Sequence, residues 1–310
     1  MTIAGLSIAV PSNGVRPGLL DTIESVREDA RLLGFDVEIL VVWNIPGDPP
    51  SWAALLPEDV HQIVERQPGL SRARNAALRS ASAPLVAFVD DDARCRPGWL
   101  AALDDAWKTG AHVVGGPIDV IWPNGRPRWA SGNAASMYGF FHPREPYDAG
   151  SRGLVGMNMA MDRAAILAIG GFDETLGHGA SRGMMGEDNE ICLRAQREGL
   201  VVRYEPRAEV EHHVEPTAVT RVHYVRRMYR FGRTMTWLHV PPEGKRSVFR
   251  RAVKAIGFVA VAPFSGSPTE SIAEAWWLFG SISALREIGS SRDGRRARRR
   301  ASPDQPTSSR

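Results

Sequence analysis

Leu85-Val86-Ala87-Phe88-Val89-Asp90-Asp91-Asp92 runs from five apolar residues directly into three carboxylates. An uninterrupted apolar run rich in Val and Phe predicts a strand buried on both faces. Three adjacent acids at its carboxyl end repel one another and gain nothing from the core. A divalent cation among them reverses that balance, because Mg²⁺, Mn²⁺ and Ca²⁺ prefer oxygen ligands. In open α/β sheets, ligands bind outside the carboxyl ends of the strands. The stretch reads as a metal site at a strand end. The plainer reading is an acidic surface loop, and these residues alone do not separate the two.

Towards the N-terminus, Leu6–Val10 predicts a strand stopped by Pro11. Residues 17–34 predict a helix, with Leu19, Ile23, Val26, Ala30 and Leu33 at helical spacing and Gly34 as its stop. Val37–Val42 predicts a second strand. Strand, amphipathic helix and strand make a βαβ unit and imply a parallel sheet. Trp43–Pro68 is Pro-rich and irregular, with a short helix expected near Glu58–Glu65. Gly69–Leu78 reads as a helix capped near Ser71. Arg72 and Arg74 occupy its first turn, where the helix dipole disfavours cations. They point to a nearby anion, or else are solvated surface residues. After the acidic run, Pro97–Gly110 predicts a helix with Trp99, Leu103 and Trp107 as a core stripe, and Ala111–Gly115 a further strand.

The second half is less regular. Residues 122–150 are rich in Pro, Gly and aromatics and read as a long excursion over a binding cleft. Leu154–Met161 predicts a strand, Asp162–Ile169 a short helix, and Gly177–Gly186 a mobile loop. Glu187–Gly199 predicts a helix opening on Glu187-Asp188. Val201–Tyr204 and Ala208–His212 read as a strand pair, and Thr217–Arg233 as a helix whose Arg226, Arg227, Arg230 and Arg233 bind diphosphate or anionic lipid, or are merely solvated. Ala255–Phe264 and Ile272–Leu285 are too short to span a bilayer. Each suits an interfacial helix or packing onto the domain, and in the second Ile272, Trp276, Phe279 and Ile282 share one helical face.

Bulk properties narrow the class. The chain has 310 residues, 43% hydrophobic, enough for one large or two small domains. Its net charge is +3, but residues 286–310 hold eight Arg against Glu287, Asp293 and Asp304, which is +5 and leaves about −2 for the rest. A large basic footprint for nucleic acid is therefore not expected. Cys95 and Cys192 form neither a disulfide framework nor a zinc pattern, so a reducing, cytoplasmic setting is expected. The N-terminus reads as a strand, not a signal peptide.

Together, Gly69-Leu70-Ser71-Arg72-Ala73-Arg74-Asn75, Phe88-Val89-Asp90-Asp91-Asp92, Gly170-Gly171-Phe172-Asp173-Glu174, Gly186-Glu187-Asp188-Asn189-Glu190-Ile191-Cys192-Leu193-Arg194 and Val210-Glu211-His212-His213-Val214 resemble, in that order, the family 2 glycosyltransferases. The resemblance covers roughly residues 5–235. It implies an α/β chain of the GT-A nucleotide-diphospho-sugar transferase fold, with a Rossmann-like, mostly parallel central sheet and a C-terminal helical extension. The expected organisation is a transferase domain over 1–240 (nucleotide half 1–116, acceptor half 117–240), an amphipathic helical extension over 241–289, and a disordered Arg-rich tail over 290–310.

The same resemblance implies an inverting transfer from a nucleotide-diphosphate sugar to a carbohydrate or lipid-linked acceptor, with Mn²⁺ or Mg²⁺ as cofactor. Asp92, Asp90 and His212 (or its neighbour His213) would hold the metal. Asp188, with Glu187 beside it, would be the general base. Pro11, Asn44, Arg72, Arg74, Asn75, Asp90 and Asp91 would lie on the nucleotide side. Peripheral contact with the inner face of a membrane and a role in cell-envelope glycan synthesis complete the expectation, with no nucleic-acid partner.

The chemistry of the residues agrees with this. A sugar-diphosphate leaving group needs its growing negative charge neutralised, and an acceptor hydroxyl needs a carboxylate to take its proton. One departure stands out. Family members often carry an acidic pair and a Gly-Ser turn after the second strand. Here Val41-Val42-Trp43-Asn44-Ile45-Pro46 occupies that place, leaving Trp43 or Asn44 to meet the base. A nucleotidyltransferase would need a Gly-rich, Lys-bearing phosphate loop, which Pro11–Arg16 does not supply. A non-catalytic anion-binding module would leave the acidic clusters unexplained.

Overall fold

The computed structural model describes residues 5–14, 18–130, 132–140, 142, 147–148, 154–238, 245–265 and 267–290. Two compact units divide the chain. The first comprises Met1–Arg126, Tyr138–Gly183 and Glu187–Pro216, and the second Pro127–Met137, Met184–Gly186 and Thr217–Arg310. The helix expected near the end of the transferase domain falls in the second unit. The Arg-rich tail beyond 290 and parts of the 122–150 excursion lie outside the described residues.

In the first unit, β1 (Leu6–Ser12), α1 (Leu19–Leu33) and β2 (Val37–Asn44) form the expected βαβ unit, with Leu6 opposite Val37 in a parallel pair. β3 (Val60–Glu65) follows, parallel to β2 at the sheet edge, and replaces the helix expected near Glu58–Glu65. Only Val60 of β3 is fully buried. A polar edge strand draws its stability from the backbone ladder with β2, which a hydrophobic pattern does not report.

α2 (Leu70–Ser80), β4 (Leu85–Val89), β5 (Ala93–Cys95), α3 (Trp99–Lys108), β6 (Val113–Gly115) and β7 (Ile118–Ile121) come next. α4 (Asn133–Met137) belongs to the second unit. β8 (Tyr147–Asp148), β9 (Asn158–Asp162), α5 (Arg163–Ala168), α6 (Glu187–Arg197), β10 (Val202–Tyr204) and β11 (Val210–His213) complete the first. The main sheet runs β3-β2-β1-β4-β9-β6-β10-β8. It is parallel except where β9 meets β4 and β6 and where β8 meets β10.

β4 lies in the middle and all five of its residues are buried. Leu85, Ala87 and Val89 pack into the core that holds Ile23 and Val26 of α1 and Trp99 and Leu103 of α3. Val86 and Phe88 face the opposite core with Ala73 and Ala77 of α2 and Ile191 of α6. This is the two-sided burial expected of the apolar run. Asp29 of α1 accepts the backbone N–H groups of Gly98 (2.6 Å) and Leu100 (2.8 Å), an anion at the start of α3.

Just past the acidic run the chain enters a second, three-stranded sheet, β5-β11-β7. β11 is antiparallel to β5 and parallel to β7. The expected strand pair 201–204 and 208–212 is therefore not a pair, since β10 joins the main sheet and β11 the small one. Buried strand partners distant in sequence outcompeted the nearer one.

The second unit is helical: α4, α7 (Arg221–Leu238), α8 (Lys245–Val261) and α9 (Pro268–Ser290). α7 and α9 approach at glycines. A Cβ on Gly232 would lie 2.0 Å from the Trp277 carbonyl oxygen, and one on Gly280 2.0 Å from that of Tyr229. Ser281 Oγ donates to the Gly232 carbonyl (3.3 Å), and Arg233 pairs with Glu287 (2.8 Å). The face expected on α9 is divided: Ile282 is buried, while Ile272, Trp276 and Phe279 are exposed. Among the described residues, no helix is long and apolar enough to cross a membrane.

Ala is the better helix former, so the packing sets the sign of a Gly→Ala change here. Gly232→Ala and Gly280→Ala should each destabilise the second unit by about 1–3 kcal/mol through overpacking. Gly257→Ala, at a position open to solvent on α8, should stabilise by about 0.5–1 kcal/mol. Urea unfolding of the three variants checks the opposite signs.

Candidate active site

The carboxyl end of β4 gathers the acids with residues from four other parts of the first unit. Asp91 is buried and accepts a hydrogen bond from Ser12 Oγ (2.6 Å), which fixes the acidic turn to the end of β1. Pro11, one residue earlier, sits within β1 opposite Val42. Neither Pro11 nor Asp91 is an open ligand. Asp90 is partly exposed and Asp92 is buried.

The small sheet brings His212 to Asp92. Ala93 pairs with His212 in the β5–β11 ladder, and the His213 N–H donates to the Asp92 carbonyl (2.8 Å). Strand alternation then turns the neighbouring imidazoles apart. His212 Nε2 lies 3.4 Å from Asp92 Oδ2, whereas His213 turns to Glu211 (3.3 Å). Burial and the nearby Arg94 lower the His213 pKa. Of the two histidines, His212 is the one that meets the acidic turn.

His212 Nδ1 lies 2.7 Å from the Tyr138 carbonyl oxygen. A carbonyl only accepts, so Nδ1 carries a proton. In the neutral ring Nε2 then presents its lone pair towards the Asp92 carboxylate. Two electron-rich atoms facing each other suit a cation between them, and a carbonyl-oriented imidazole beside a carboxylate is a common metal-ligand arrangement. The Asp92 carboxylate and the His212 imidazole are donors of the kind that Mn²⁺ or Mg²⁺ accepts, while the Asp90 carboxylate is turned to Arg74 (3.4 Å).

Arg74 occupies the space between the two acidic clusters. Its side chain is 1% exposed, with Nη1 2.8 Å from Glu187 and Nη2 3.4 Å from Asp90. The guanidinium also lies over Phe88 (5.9 Å) and Phe172 (5.6 Å). Burial alone would lower its pKa, but Asp90, Glu187 and Asp188 outweigh this and raise it. The anion expected near Arg74 is thus, within the chain, the carboxylates of Glu187 and Asp90, to which it is a buried counter-ion. Glu187 is buried as well. Burial and the adjacent Asp188 push its carboxyl pKa up, against the opposing pull of Arg74.

Asp188 is the half-exposed member of the pair. Gly156 N–H donates to its Oδ2 (3.1 Å), and the N–H of Asn189 to its Oδ1 (2.8 Å). Gly156 has no room for a side chain, since a Cβ would come within 2.6–2.8 Å of the Arg74 guanidinium. The one residue therefore roofs the buried cation and aims the carboxylate. Sequence reading missed Gly156, because a single glycine carries no local signal.

Other residues of the motifs act as clasps. Asn75 exchanges hydrogen bonds with the backbone of Phe172, donating to its carbonyl (3.0 Å) and accepting its N–H (2.8 Å). Arg72 pairs with Glu174 (2.6 Å). Arg194 donates to the carbonyls of Ile169 (2.6 Å) and Gly171 (2.5 Å). Asn44 binds the carbonyls of Glu65 (3.2 Å) and Gln67 (2.9 Å) and accepts the Gly69 N–H (2.8 Å), and Trp43 is fully buried. Asn75 and Trp43 are buried, where a polar group must be satisfied by the protein itself, and Asn44 is half-exposed at the end of β2.

One cluster was not foreseen. Asp119, His142 and Glu209 bring one ligand atom each within 4.8 Å of one another. Arg96 already reaches Asp119 (2.9 Å) and Glu209 (2.8 Å), so a resident cation partly neutralises this group. Burial and the neighbouring Asp119 carboxylate push the Glu209 pKa up. Cys95 and Cys192 are buried and outside any disulfide, and burial pushes the Cys192 thiol up to about 12.

The fold defines a class. A GalNAc-T7 structure with UDP, GalNAc and Mn²⁺ matches with a TM-score of 0.53 at 16% identity, over 92% of this chain and 57% of that one. The mannosyltransferase PcManGT from Pyrobaculum calidifontis, in complex with GDP-Man and Mn²⁺, matches with a TM-score of 0.50 at 17% identity, over 92% and 75%. The shared architecture is the GT-A fold. The model of glycosyl transferase family 2 matches residues 7–170, over half of the chain, and the chain belongs to that family of transferases.

Among curated relatives, the glucosyl-dolichyl phosphate glucuronosyltransferase of Haloferax volcanii is 27% identical over 154 residues, 46% of this chain. The chain spans about half of that relative, 47% of its length. The succinoglycan biosynthesis protein ExoM of Rhizobium meliloti is 27% identical over 234 residues, 71% of this chain and 70% of ExoM. A pre-mycofactocin glycosyltransferase of Mycobacterium tuberculosis is 29% identical over 154 residues, 46% of this chain and 30% of that protein.

Removing a buried counter-ion strands its partners. Arg74→Met should cost about 3–5 kcal/mol, because Glu187 and Asp90 remain without it. Adding Glu187→Gln should recover part of that loss, a coupling that a double-mutant cycle in urea measures.

Proposed function

We propose that this chain moves a sugar from a nucleotide-diphosphate donor to an acceptor hydroxyl, with inversion, using Mn²⁺ or Mg²⁺ held by Asp90, Asp92 and His212. The observation that carries the reading is the convergence of two acidic groups at one end of the sheet. Asp92 faces His212 at 3.4 Å, and Asp90 is tied through Arg74 to the start of α6, where Asp188 stands. When bound, the metal supplies positive charge to the diphosphate leaving group.

The protein's own residues divide the remaining work. Asp188, half-exposed and held by the Gly156 N–H, accepts the proton of the attacking hydroxyl. Inversion follows from a single displacement, which needs one base and no carboxylate nucleophile. Glu187 keeps the Arg74 guanidinium in place and does not take part in proton transfer. Arg72, in the first turn of α2 and partly exposed beside Glu174, is placed to meet a phosphate. The imidazole in the donor set inclines the site towards Mn²⁺ over Mg²⁺.

The relatives named for glucosyl-dolichyl phosphate and for succinoglycan biosynthesis favour a glycan or lipid-linked acceptor in cell-envelope synthesis. Such an acceptor suits a protein in peripheral contact with the inner face of a membrane.

Two variants separate the halves of the site. Asp92→Ala should abolish Mn²⁺-dependent binding of nucleoside diphosphate, measured by calorimetry. Metal-independent binding that survives in the variant would reject the metal role. Asp188→Asn should retain donor binding and lower the transfer rate by about 10²–10⁴-fold. Normal turnover by this variant would place the base elsewhere. A thermal-shift screen of nucleotide sugars with Mn²⁺ identifies the donor to use.

A further inference from the structure

We propose that the outward face of α8 docks on an anionic lipid bilayer. This rests on and deepens the peripheral contact proposed above by naming the surface, the first of the two apolar stretches that the sequence offered for it. The face expected on α9 is less open than that of α8: Ile272, Trp276 and Phe279 are 38–44% exposed, against 53% for Val253 and 64% for Ile256. Ile282 is buried, and Trp276 packs edge-on against Tyr229 (5.8 Å) and Phe279 (6.1 Å).

α8 is apolar on both its inner and its outer side. Its inner side places Ala255, with Phe258 beside it, against Ala275 and Leu278 of α9. Water-facing helices carry polar residues on the other side. Here Val253, Ile256, Gly257 and Ala260, spaced i, i+3, i+4 and i+7, are all exposed. Ile256 is 64% exposed and Val253 53%, and the exposed Val259 and Val261 widen the stripe. A run of apolar side chains like this on a water-exposed face marks an interaction surface.

The charges say what kind of partner fits. α8 contains Lys245, Arg246, Arg250, Arg251 and Lys254 and no acidic residue. Arg250 and Lys254 are exposed and border the stripe on its N-terminal side. An apolar stripe bordered by cations, on a helix lying flat, is the pattern of interfacial helices that enter the headgroup region and attract anionic lipid. A second copy of the chain is the poorer occupant, since a self-contact through this face would bring like charges together.

The test uses the full chain and vesicle flotation. Wild-type protein should float with vesicles of phosphatidylcholine containing phosphatidylglycerol and much less with phosphatidylcholine alone. Binding should weaken as salt rises. Ile256→Asp and Val253→Asp should each lower the bound fraction about tenfold, with circular dichroism and Tm unchanged because both side chains are exposed. Arg250→Glu with Lys254→Glu should remove the preference for anionic vesicles. Transfer to a water-soluble acceptor should be unaffected in all of these variants, which keeps this result apart from the fate of the catalytic reading. A wild-type chain that ignores anionic vesicles overturns the proposal. So does flotation of Ile256→Asp equal to wild type, or a wild-type dimer that Ile256→Asp dissociates without any vesicle binding.

Discussion

A single guanidinium sits where the two acidic regions of the first unit meet. Arg74 is almost wholly buried, yet Glu187 and Asp90 hold it charged. Without that cation, Asp90 and the buried Glu187 would stand against each other in a poorly solvated space, and the start of α6 would have no electrostatic reason to approach the end of β4. With it, the two regions share one counter-ion. Phe88 and Phe172 close over the cation, so the same contact joins the core to the site. A buried ion pair of this kind is weak support for net stability, but breaking it is costly. Its value here is positional.

Around this centre the motif residues are mostly structural. Asn75 fastens the Gly170–Glu174 turn, Arg194 fastens the same turn from α6, and Arg72 reaches Glu174. They make the turn, α2 and α6 into one block. Gly156 completes it by giving up a side chain so that the Arg74 guanidinium fits beneath it while its N–H aims Asp188. On the other side, β5 continues directly from the acidic turn and pairs with β11, which brings Asp92 to His212 over a separation of 120 positions. Rigid ladders, not loops, set that distance.

The second unit shows the same dependence on close approach. α7 and α9 cross with Gly232 and Gly280 against each other's backbone, a spacing that any side chain would prevent. α9 is held there between α7 and α8, and α8 carries apolar residues on its outward side as well as against α9. An apolar face that is covered within one helix of a bundle and bare on the next can be distinguished only once the packing is known.

The sequence by itself determined the nature of the fold. The Leu85–Val89 run specified a strand buried on both faces, the Leu19–Leu33 periodicity specified α1, and the order of short motifs specified the family. These signals are local: hydrophobic spacing and turn chemistry act within a few residues. It also marked Asp90, Asp92, Asp188 and His212 as the acids and imidazole of interest. It misread β3 as a helix and β10 with β11 as a pair, because a strand takes its partner from wherever in the chain a ladder can form. Only the tertiary structure decided that Arg74 and Asn75 turn inward while Asp188 stays accessible, and that His212 rather than His213 meets Asp92. Those choices follow from burial and strand alternation. Both depend on what is packed against a residue, and neither is written in the residue itself.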